Sequence, residues 1–414
     1  MRGSSRSSAG RLEEAAGLAL ALDLDVRDAL IAPLRKVSPA TLFGSGKVKE
    51  IGDVCAALEV DVAIVDDSLS PVQQRNLEKA WQVKVLDRTG LILEIFARRA
   101  RTKEGRLQVE LARLSYEKSR LVRTWTHLER QRGGFGVMGG PGETQIETDR
   151  RLIAEKIAKL KRDLVEVRRT RTLQRAARQR APVPSVALVG YTNAGKSTLF
   201  NRLTLSEVVA QDMLFATLDP TLRLLKLPDG RPAVLSDTVG FISDLPHELV
   251  EAFRATLEEV KEADVILHVR DIAGPESQAQ AQDVRTVLSR MGVEVAERRL
   301  IEVWNKVDLV DPERQDEIHG DARRAHPPAF AVSAVTGEGC DALLQAIADM
   351  VDEASPVEIH IPPGEGAAMA WLYRHGRVTE RHDDEDGNIA LTVKMDSQAH
   401  GQFEQLFPRI NVAH

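Results

Sequence analysis

Hydrophobic positions change their spacing several times along the chain. Between residues 11 and 97, short apolar runs such as Val62–Val65 and Val83–Leu86 alternate with helix-like stretches, one of which begins at Ser70-Pro71. Short apolar runs between helices are typical of buried strands in a parallel sheet. We therefore predict an N-terminal α/β domain over residues 1–97.

The spacing is different between residues 98 and 180, where apolar residues recur at intervals of four and three. The first run contains Leu107, Leu111, Leu114, Leu121, Trp125 and Leu128, and the second contains Ile153, Ile157, Leu160, Leu164 and Val167. A narrow apolar stripe on a helix is buried only against a partner helix. The glycine-rich segment 132–142 between the runs does not suit a helix. We predict a long antiparallel helical hairpin with a loop at its tip.

Two further regions follow the hairpin. Pro182 and Pro184 are typical of a linker, and residues 181–355 again alternate strand-like and helix-like stretches. Residues 356–414 contain two strand-like runs, Val357–Ile361 and Asn388–Lys394, and two helix-like stretches near 366–375 and 397–406. The predicted fold class is therefore α/β, with a second α/β domain after the hairpin and a small α+β domain at the end.

Charge is distributed unevenly along the chain. The formal net charge is −6, which excludes a generally basic, histone-like protein. Residues 98–180 nevertheless hold 23 Lys and Arg against 10 Asp and Glu, so this region carries +13 and the rest of the chain −19. Charged helices are usually no more than solvated surfaces. An excess of one sign instead favours contact with a polyanion such as RNA.

Composition also bounds the cellular setting. Apolar residues make up 43% of the chain, which excludes overall disorder. The two cysteines, Cys55 and Cys340, cannot form a disulfide scaffold or a cysteine-based zinc site, and they are typical of a reducing compartment. No apolar run approaches about 18 residues, so no membrane-spanning helix is expected. We expect a soluble cytoplasmic protein that acts as a monomer.

Residues 190–197 match the phosphate-binding pattern G-x-x-x-x-G-K-[ST]. They read Gly190-Tyr191-Thr192-Asn193-Ala194-Gly195-Lys196-Ser197, and they lie between the apolar run 186–189 and a helix pattern that begins at Thr198. A strand, a glycine loop and a helix in this order direct backbone N–H groups toward phosphate oxygens. We expect Lys196 to bind the β- and γ-phosphates and the Ser197 hydroxyl to bind Mg²⁺.

Three later segments have the spacing of a guanine nucleotide site. They are Asp237-Thr238-Val239-Gly240, Asn305-Lys306-Val307-Asp308 and Ser333-Ala334. Asp237 is expected to hold Mg²⁺ through a water, and the N–H of Gly240 to bind the γ-phosphate. Asp308 can accept hydrogen bonds from N1–H and the 2-amino group of guanine, a donor pair that adenine lacks. A backbone N–H at 333–334 is expected to bind the guanine oxygen. Residues 181–355 are therefore predicted to be a P-loop GTPase domain that converts GTP to GDP and phosphate.

The chain resembles the HflX family of translation-associated GTPases, in the Obg–HflX superfamily. The resemblance rests on segments 190–197, 215–221 (Phe-Ala-Thr-Leu-Asp-Pro-Thr), 237–241 and 305–308, and on the glycine-rich segment 139–151 ahead of them. It implies a ribosome-bound GTPase that reaches the RNA of the large subunit through its N-terminal domain and hairpin. It also implies a role in separating ribosomal subunits, or in rescue, under stress. By the same resemblance, residues 215–221 are switch I and Thr217 is the second Mg²⁺ ligand.

Phe241 stands where Ras-like enzymes carry the glutamine that orients the attacking water. A phenyl ring cannot hydrogen-bond to water, so we expect slow hydrolysis by Lys196, Thr217 and Gly240 alone. A bound partner or a monovalent cation would complete the site. Asn193 resembles the asparagine that binds K⁺ in some cation-dependent GTPases, but asparagine is equally a common loop former.

Two other functions stay open at this point. One is a nucleotide-gated interaction protein with little hydrolysis, and the other is an ATP-dependent RNA-remodelling enzyme that uses its N-terminal domain. The segment Gly44-Ser45-Gly46-Lys47 would be the signal for ATP. It lacks the full phosphate-loop spacing, and a surface turn is the expected structure.

Overall fold

The structure of the protein is a computed structural model. It describes residues 7–34, 36–129, 141–178, 183–206, 213–243, 259–290, 292, 300–351, 356–383, 388–395, 397–408 and 410–413. Most of the predicted hairpin tip, residues 132–142, lies outside these ranges. By its internal contacts the chain divides into two compact units, residues 1–345 and 346–414. Within the described ranges, every helix is too short or too polar to cross a lipid bilayer.

The N-terminal region is the predicted α/β layer. Its elements are α1 (Ser8–Leu20), α2 (Ser45–Ala57), β1 (Val62–Val65), α3 (Pro71–Trp81), β2 (Lys84–Asp87) and α4 (Arg88–Arg99). The strands β1 and β2 pair in parallel. The start of α3 is fixed by a capping box: the hydroxyl of Ser70 accepts from the N–H of Gln73, and the Gln73 side chain accepts from the N–H of Ser70.

The surface turn predicted for residues 44–47 is wrong. Gly44 is the N-cap of α2, and residues 45–47 form the first turn of that helix. Lys47 forms a salt bridge with Glu50 on the same helix, at 2.7 Å. The segment therefore starts a helix, and the strand–loop–helix arrangement of a phosphate loop is not formed around it.

The basic region forms the two predicted helices, α5 (Lys103–Glu129) and α6 (Pro141–Arg178), which contact each other. The predicted loop 132–142 is wrong at its end, because proline is well suited to the first turn of a helix and α6 begins at Pro141. The predicted seam of α6 is confirmed, because Ile153, Ile157, Leu160 and Val167 are half-buried and Leu164 is 5% exposed. Helix α5 buries a second face that the sequence pattern does not predict: Val109 and Ala112 belong to the main core of the first unit.

The second α/β region is built on a six-stranded sheet in the order β4-β5-β3-β6-β7-β8. Its strands are β3 (Ser185–Gly190), β4 (Thr221–Lys226), β5 (Pro232–Asp237), β6 (Val265–Asp271), β7 (Leu300–Asn305) and β8 (Ala329–Ala331), and its described helices are α7 (Lys196–Thr204), α8 (Ser277–Arg290), α9 (Pro312–Arg324) and α10 (Cys340–Met350). Strand β4 is antiparallel to β5, and the other pairs are parallel. The carboxyl ends of β3, β5, β7 and β8 therefore meet at one edge, where open α/β sheets bind their ligands.

One hydrophobic core joins the N-terminal region to this sheet. Leu91 and Phe96 of α4 share a cluster with Phe215, Leu218 and Phe241, which lie in the loops around the carboxyl edge. The rings of Phe96 and Phe215 pack edge to face, with centroids 4.7 Å apart. The two regions therefore stabilise each other by burial of shared apolar surface.

The second unit is a small α+β fold. Its elements are β9 (Pro356–Ile361), α11 (Gly366–His375), β10 (Arg377–Asp383), β11 (Ile389–Lys394), α12 (Ser397–Leu406) and β12 (Asn411–Ala413). The sheet is antiparallel in the order β10-β11-β9-β12, and its core includes Leu372, Leu391 and Phe403. The sequence pattern predicts β9, β11 and both helices, and the structure confirms them. The pattern does not predict β10 and β12, which are the two edge strands.

Candidate nucleotide site

The phosphate-loop residues form a tight turn between β3 and α7. Gly195 has a φ of 89° and caps the start of α7, and a Cβ at this position would lie 2.2 Å from the Nδ2 of Asn305. Only glycine fits this conformation and this approach. The loop therefore presents the N-terminus of α7 at the carboxyl edge of the sheet, as an anion site requires.

The remaining residues predicted to bind the phosphates differ in exposure. Tyr191, Thr192 and Ala194 are buried, Asn193 is exposed, and Thr198 is half-buried.

Lys196 is buried inside this loop. Its Nζ donates hydrogen bonds to the backbone oxygens of Gly190 (3.1 Å) and Tyr191 (2.7 Å). Burial lowers the pKa of Lys196 to about 8, and the nearby carboxylate of Asp237 opposes this shift. A buried ammonium group beside a helix N-terminus attracts phosphate oxygens, which would restore the charge balance of the site.

Three predicted Mg²⁺ ligands converge beside the loop. The Ser197 hydroxyl donates to Oδ2 of Asp237 at 2.7 Å, and the Thr217 hydroxyl donates to the same oxygen at 3.0 Å. The two hydroxyl oxygens are 2.9 Å apart. Thr217, assigned by resemblance alone, therefore lies with the other two oxygens in space.

The same three side chains fit a magnesium ion chemically. Mg²⁺ prefers oxygen ligands, and here one carboxylate and two hydroxyls are gathered. Asp237 is fully buried, and its Oδ1 has no hydrogen-bond partner among the described residues. Burial raises the pKa of Asp237, while bonds from Ser197 and Thr217 and the charge of Lys196 oppose this shift. A buried carboxylate with an unpaired oxygen is stabilised by a cation. When bound, the ion would neutralise charge on the phosphate oxygens.

The backbone after β5 is fastened to the phosphate loop. The N–H of Thr192 donates to the oxygen of Phe241 (2.7 Å), and the N–H of Phe241 donates to the oxygen of Gly190 (3.0 Å). Gly240 lies beside them, close to Lys196.

The ring of Phe241 is 2% exposed and packs in the main core, and Val239 is buried with it. Phe241 is therefore a packing residue, and its phenyl ring offers no hydrogen bond to a water. On the same segment, the hydroxyl of Thr238 donates to the backbone oxygen of Leu188 on β3 (2.6 Å).

Asn305 connects the loops that would surround the base. Its Nδ2 donates to the oxygen of Ala194 (2.9 Å), and its Oδ1 accepts the N–H of Ala334 (3.0 Å). Val307 is buried, whereas Asp308 is exposed. Asn305 thus fixes the geometry, while the carboxylate of Asp308 remains accessible.

Two details of the base site differ from the sequence expectation. The N–H of Ser333 donates to the oxygen of Glu338 (3.0 Å), and that of Ala334 is taken by Asn305, so both N–H groups are already engaged inside the protein. The Nζ of Lys306 lies 2.7 Å from the carboxylate of Asp271 at the end of β6. Lys306 therefore helps to hold the loop in place.

A polar cluster that the sequence pattern does not predict joins the N-terminal region to the phosphate loop. The hydroxyl of Tyr191 donates to the carboxylate of Glu14 on α1 and accepts the N–H of Ser243 (2.8 Å). Arg88 forms a salt bridge with Glu14 (2.5 Å) and donates to the oxygen of Ser243 (2.9 Å). Burial alone would lower the pKa of Arg88, but the carboxylates of Asp66 and Glu14 together outweigh burial and raise this pKa. The available signal was Glu14 itself, an acid inside an apolar helical stretch.

Comparison with known proteins follows the same division of the chain. Family models match residues 9–97 (GTP-binding GTPase N-terminal), 99–178 (GTP-binding GTPase middle region), 185–306 (50S ribosome-binding GTPase) and 321–411 (HflX C-terminal domain).

Whole-chain relatives carry the name GTPase HflX. The protein from Magnetococcus marinus is 52% identical over 91% of this chain and 86% of its own length. The protein from Escherichia coli is 44% identical over 93% of this chain and 89% of its own length. Among solved structures, a GTP-binding protein from Sulfolobus solfataricus in complex with GDP is 25% identical, with a TM-score of 0.45 over 82% of this chain and 94% of that one.

Proposed function

This chain belongs to the HflX family and is a GTPase, and from this premise we propose that it is a ribosome factor. It would bind the large subunit through ribosomal RNA and use GTP to separate the subunits or rescue ribosomes under stress. Support comes from residues 185–306, which match the model described as 50S ribosome-binding GTPase.

The observation that carries this proposal is the charge of the arm formed by α5 and α6. Residues 98–180 carry +13 in a chain whose net charge is −6. On α6, Lys156, Lys159 and Arg162 are exposed. Exposed cations on a pair of packed helices suit contact with a phosphate backbone, which positions a protein without reading sequence.

Co-sedimentation with purified large subunits tests the proposal. We expect binding with a GTP analogue to exceed binding with GDP or without nucleotide, and we expect the subunits to accelerate hydrolysis by more than about tenfold. Equal binding in the three states, with no acceleration, would refute a GTP-dependent ribosome factor. Binding without hydrolysis would instead support a nucleotide-gated interaction protein.

A charge variant of the arm locates the contact. Replacing Lys156, Lys159 and Arg162 by Gln should weaken subunit binding at least about tenfold. It should also reduce the dependence of binding on salt, because with fewer phosphate contacts fewer counterions are released when the protein binds. The matched control replaces Arg314, Arg323 and Arg324, which are equally exposed on α9. The control should bind as the unaltered protein does. Equal losses in both variants would mean that only overall charge matters.

For hydrolysis, we propose that the chain's own groups bind and orient the triphosphate. Lys196 and the N-terminus of α7 would hold the phosphates, Ser197, Thr217 and Asp237 would hold Mg²⁺, and Gly240 would offer its N–H to the γ-phosphate. Phe241 supplies no water-orienting group. A partner that orders these loops would therefore complete the site. Lys196→Ala should abolish tight GTP binding, and unchanged turnover in that variant would contradict the assignment.

Potassium stays a separate prediction. Asn193 has a φ of 59° and is exposed, a conformation that suits asparagine as a loop former without any ion. Turnover compared in K⁺ and Na⁺ at equal ionic strength decides between the two roles. Acceleration by K⁺ that disappears in Asn193→Ala would support the ion.

A further inference from the structure

The carboxylate of Asp219 binds the start of the arm helix α5. Its Oδ2 accepts the backbone N–H groups of Arg101 (2.8 Å) and Thr102 (2.9 Å), and its Oδ1 accepts the hydroxyl of Thr102 (2.5 Å). Thr102 in turn accepts the N–H of Gly105 at 2.9 Å. The free N–H groups at a helix start favour a negatively charged acceptor. Here that acceptor comes from switch I, 117 residues further along the chain than Thr102.

Gly105 leaves the space that this carboxylate occupies. A Cβ at residue 105 would lie 2.3 Å from Oδ1 of Asp219 and 3.1 Å from the hydroxyl oxygen of Thr102. A glycine inside a helix lowers the stability of the helix relative to alanine. The close approach of Asp219 is a physical reason for glycine at this position.

Thr217 is held on both sides, by α4 of the N-terminal region and by the start of α5 in the arm. On one side the ring of Phe215 is 2% exposed and packs edge-on against Phe96. On the other side Asp219 binds α5. Asp219 lies only two residues after Thr217, and consecutive Cα atoms are about 3.8 Å apart. A displacement of Asp219 by the width of a methyl group is therefore passed along the backbone to Thr217. The hydroxyl of Thr217 meets Ser197 and Asp237 in this arrangement.

We propose that Asp219 is a positioning residue for GTP hydrolysis, which holds Thr217 at the Mg²⁺ ligands by binding the start of the arm. This inference rests on the proposed role of Thr217. Because Asp219 binds α5, a movement of α5 displaces switch I as well. Since coupling between two sites is reciprocal, a polyanion that moves the arm also changes the position of Thr217, and the nucleotide changes the position of the arm.

The first test is Gly105→Ala, which pushes the carboxylate away without changing any charge and without weakening the helix. We expect kcat for GTP to fall at least about tenfold, since small displacements of catalytic ligands have effects of this size. The affinity for GDP should stay within about twofold, because switch I is ordered through the γ-phosphate and its metal. Gly46→Ala is the matched control: it is also a helical glycine, with no atom within 4 Å of its added Cβ.

A double-mutant cycle shows whether Gly105→Ala acts through Asp219. Asp219→Ala alone should lower kcat as Gly105→Ala does. In the Asp219→Ala background the added methyl meets no carboxylate, so Gly105→Ala should have no further effect. Additive losses would mean that Gly105→Ala acts independently of Asp219, and a merely structural role would lower GDP affinity along with kcat.

Thr217→Ala separates failure of this inference from failure of the proposed site. If Thr217→Ala leaves kcat unchanged, the proposed role of Thr217 is wrong and the inference falls with it. If Thr217→Ala lowers kcat while Gly105→Ala and Asp219→Ala both behave like Gly46→Ala, Asp219 has no positioning role. If Gly105→Ala does not fold, the comparison of Asp219→Ala with Thr217→Ala still decides.

Discussion

At the scale of single residues, the segment Asn305–Asp308 combines one buried polar side chain with one exposed carboxylate. Asn305 is 2% exposed, and both ends of its side-chain amide form hydrogen bonds with the backbone, at Ala194 and at Ala334. Asp308, three residues later, is exposed. The buried amide fixes the loops, and we propose that the exposed carboxylate recognises the base.

Exchange of that carboxylate for an amide should change the preferred base. Asp308→Asn keeps the shape but replaces an acceptor by a donor, so the pair of donors on guanine loses its partner. We expect GTP affinity to fall at least about a hundredfold and the affinity for xanthosine triphosphate, which carries an oxygen at position 2, to rise above it. Competition binding measures both. Asp311→Asn is the control, because Asp311 is an exposed N-cap without a side-chain cap bond. Equal GTP affinity in the two variants would contradict the assignment.

Glu302 illustrates a residue whose role is structural. Its side chain is 3% exposed on β7 and lies 3.0 Å from Nδ1 of His268, 2.6 Å from Arg285 and 3.2 Å from Arg270. Burial raises the pKa of Glu302, but the bond from His268 and the two arginines outweigh burial and lower it to about 2. The ionised form is therefore favoured in the folded chain.

Stability should depend on this carboxylate in a defined pH range. A lowered folded-state pKa stabilises the fold above the unfolded value, near 4.5, and this contribution is lost as the pH falls toward 2. Glu302→Gln should cost about 3 kcal/mol at pH 7 in urea unfolding, and the difference should shrink between pH 4.5 and 2. Glu317→Gln, in an exposed pair with Arg314, should cost under about 0.5 kcal/mol. A difference that stays constant with pH would refute the explanation.

At the scale of elements, predictability depends on whether an element has one apolar face or two. The seam of α6 was predictable, because its apolar residues recur at regular spacing on an otherwise charged helix. The second buried face of α5 was not, since beside Val109 it uses the small or polar residues Gly105, Gln108 and Ala112. Strand β10 was missed for a related reason: it is an edge strand with only Val378 as an apolar side chain.

Neighbouring residues on α6 allow the helix pairing to be tested. Leu164 is 5% exposed and Val165 is 66% exposed. Leu164→Ala leaves a cavity in the seam and should lower the free energy of unfolding by about 2–4 kcal/mol. Val165→Ala should change it by less than about 0.5 kcal/mol. Urea unfolding followed by circular dichroism measures both. Similar values for the two variants would mean that α6 does not pack through its predicted seam.

At the scale of the whole molecule, the nucleotide segments were predictable because each is contiguous and ends a strand. The surroundings of the site were not. Glu14 reaches Tyr191 across 177 residues of sequence, and Asp219 reaches Thr102 across 117. No spacing rule connects such positions in a single sequence, because only the folded core brings them together.

The shared core predicts that the N-terminal region and the GTPase sheet unfold together. Phe96→Ala removes a fully buried ring that packs on Phe215, and it should cost about 3–5 kcal/mol. Hydrogen exchange should speed up equally in α4 and in β3, and a GTP analogue should protect both. Phe403→Ala is the matched control: Phe403 is just as buried, and its core cluster lies within the second unit. It should leave exchange in α4 and β3 unchanged. If Phe96→Ala accelerates exchange in α4 alone, the two regions are separate cooperative units, and the switch loops do not connect them energetically.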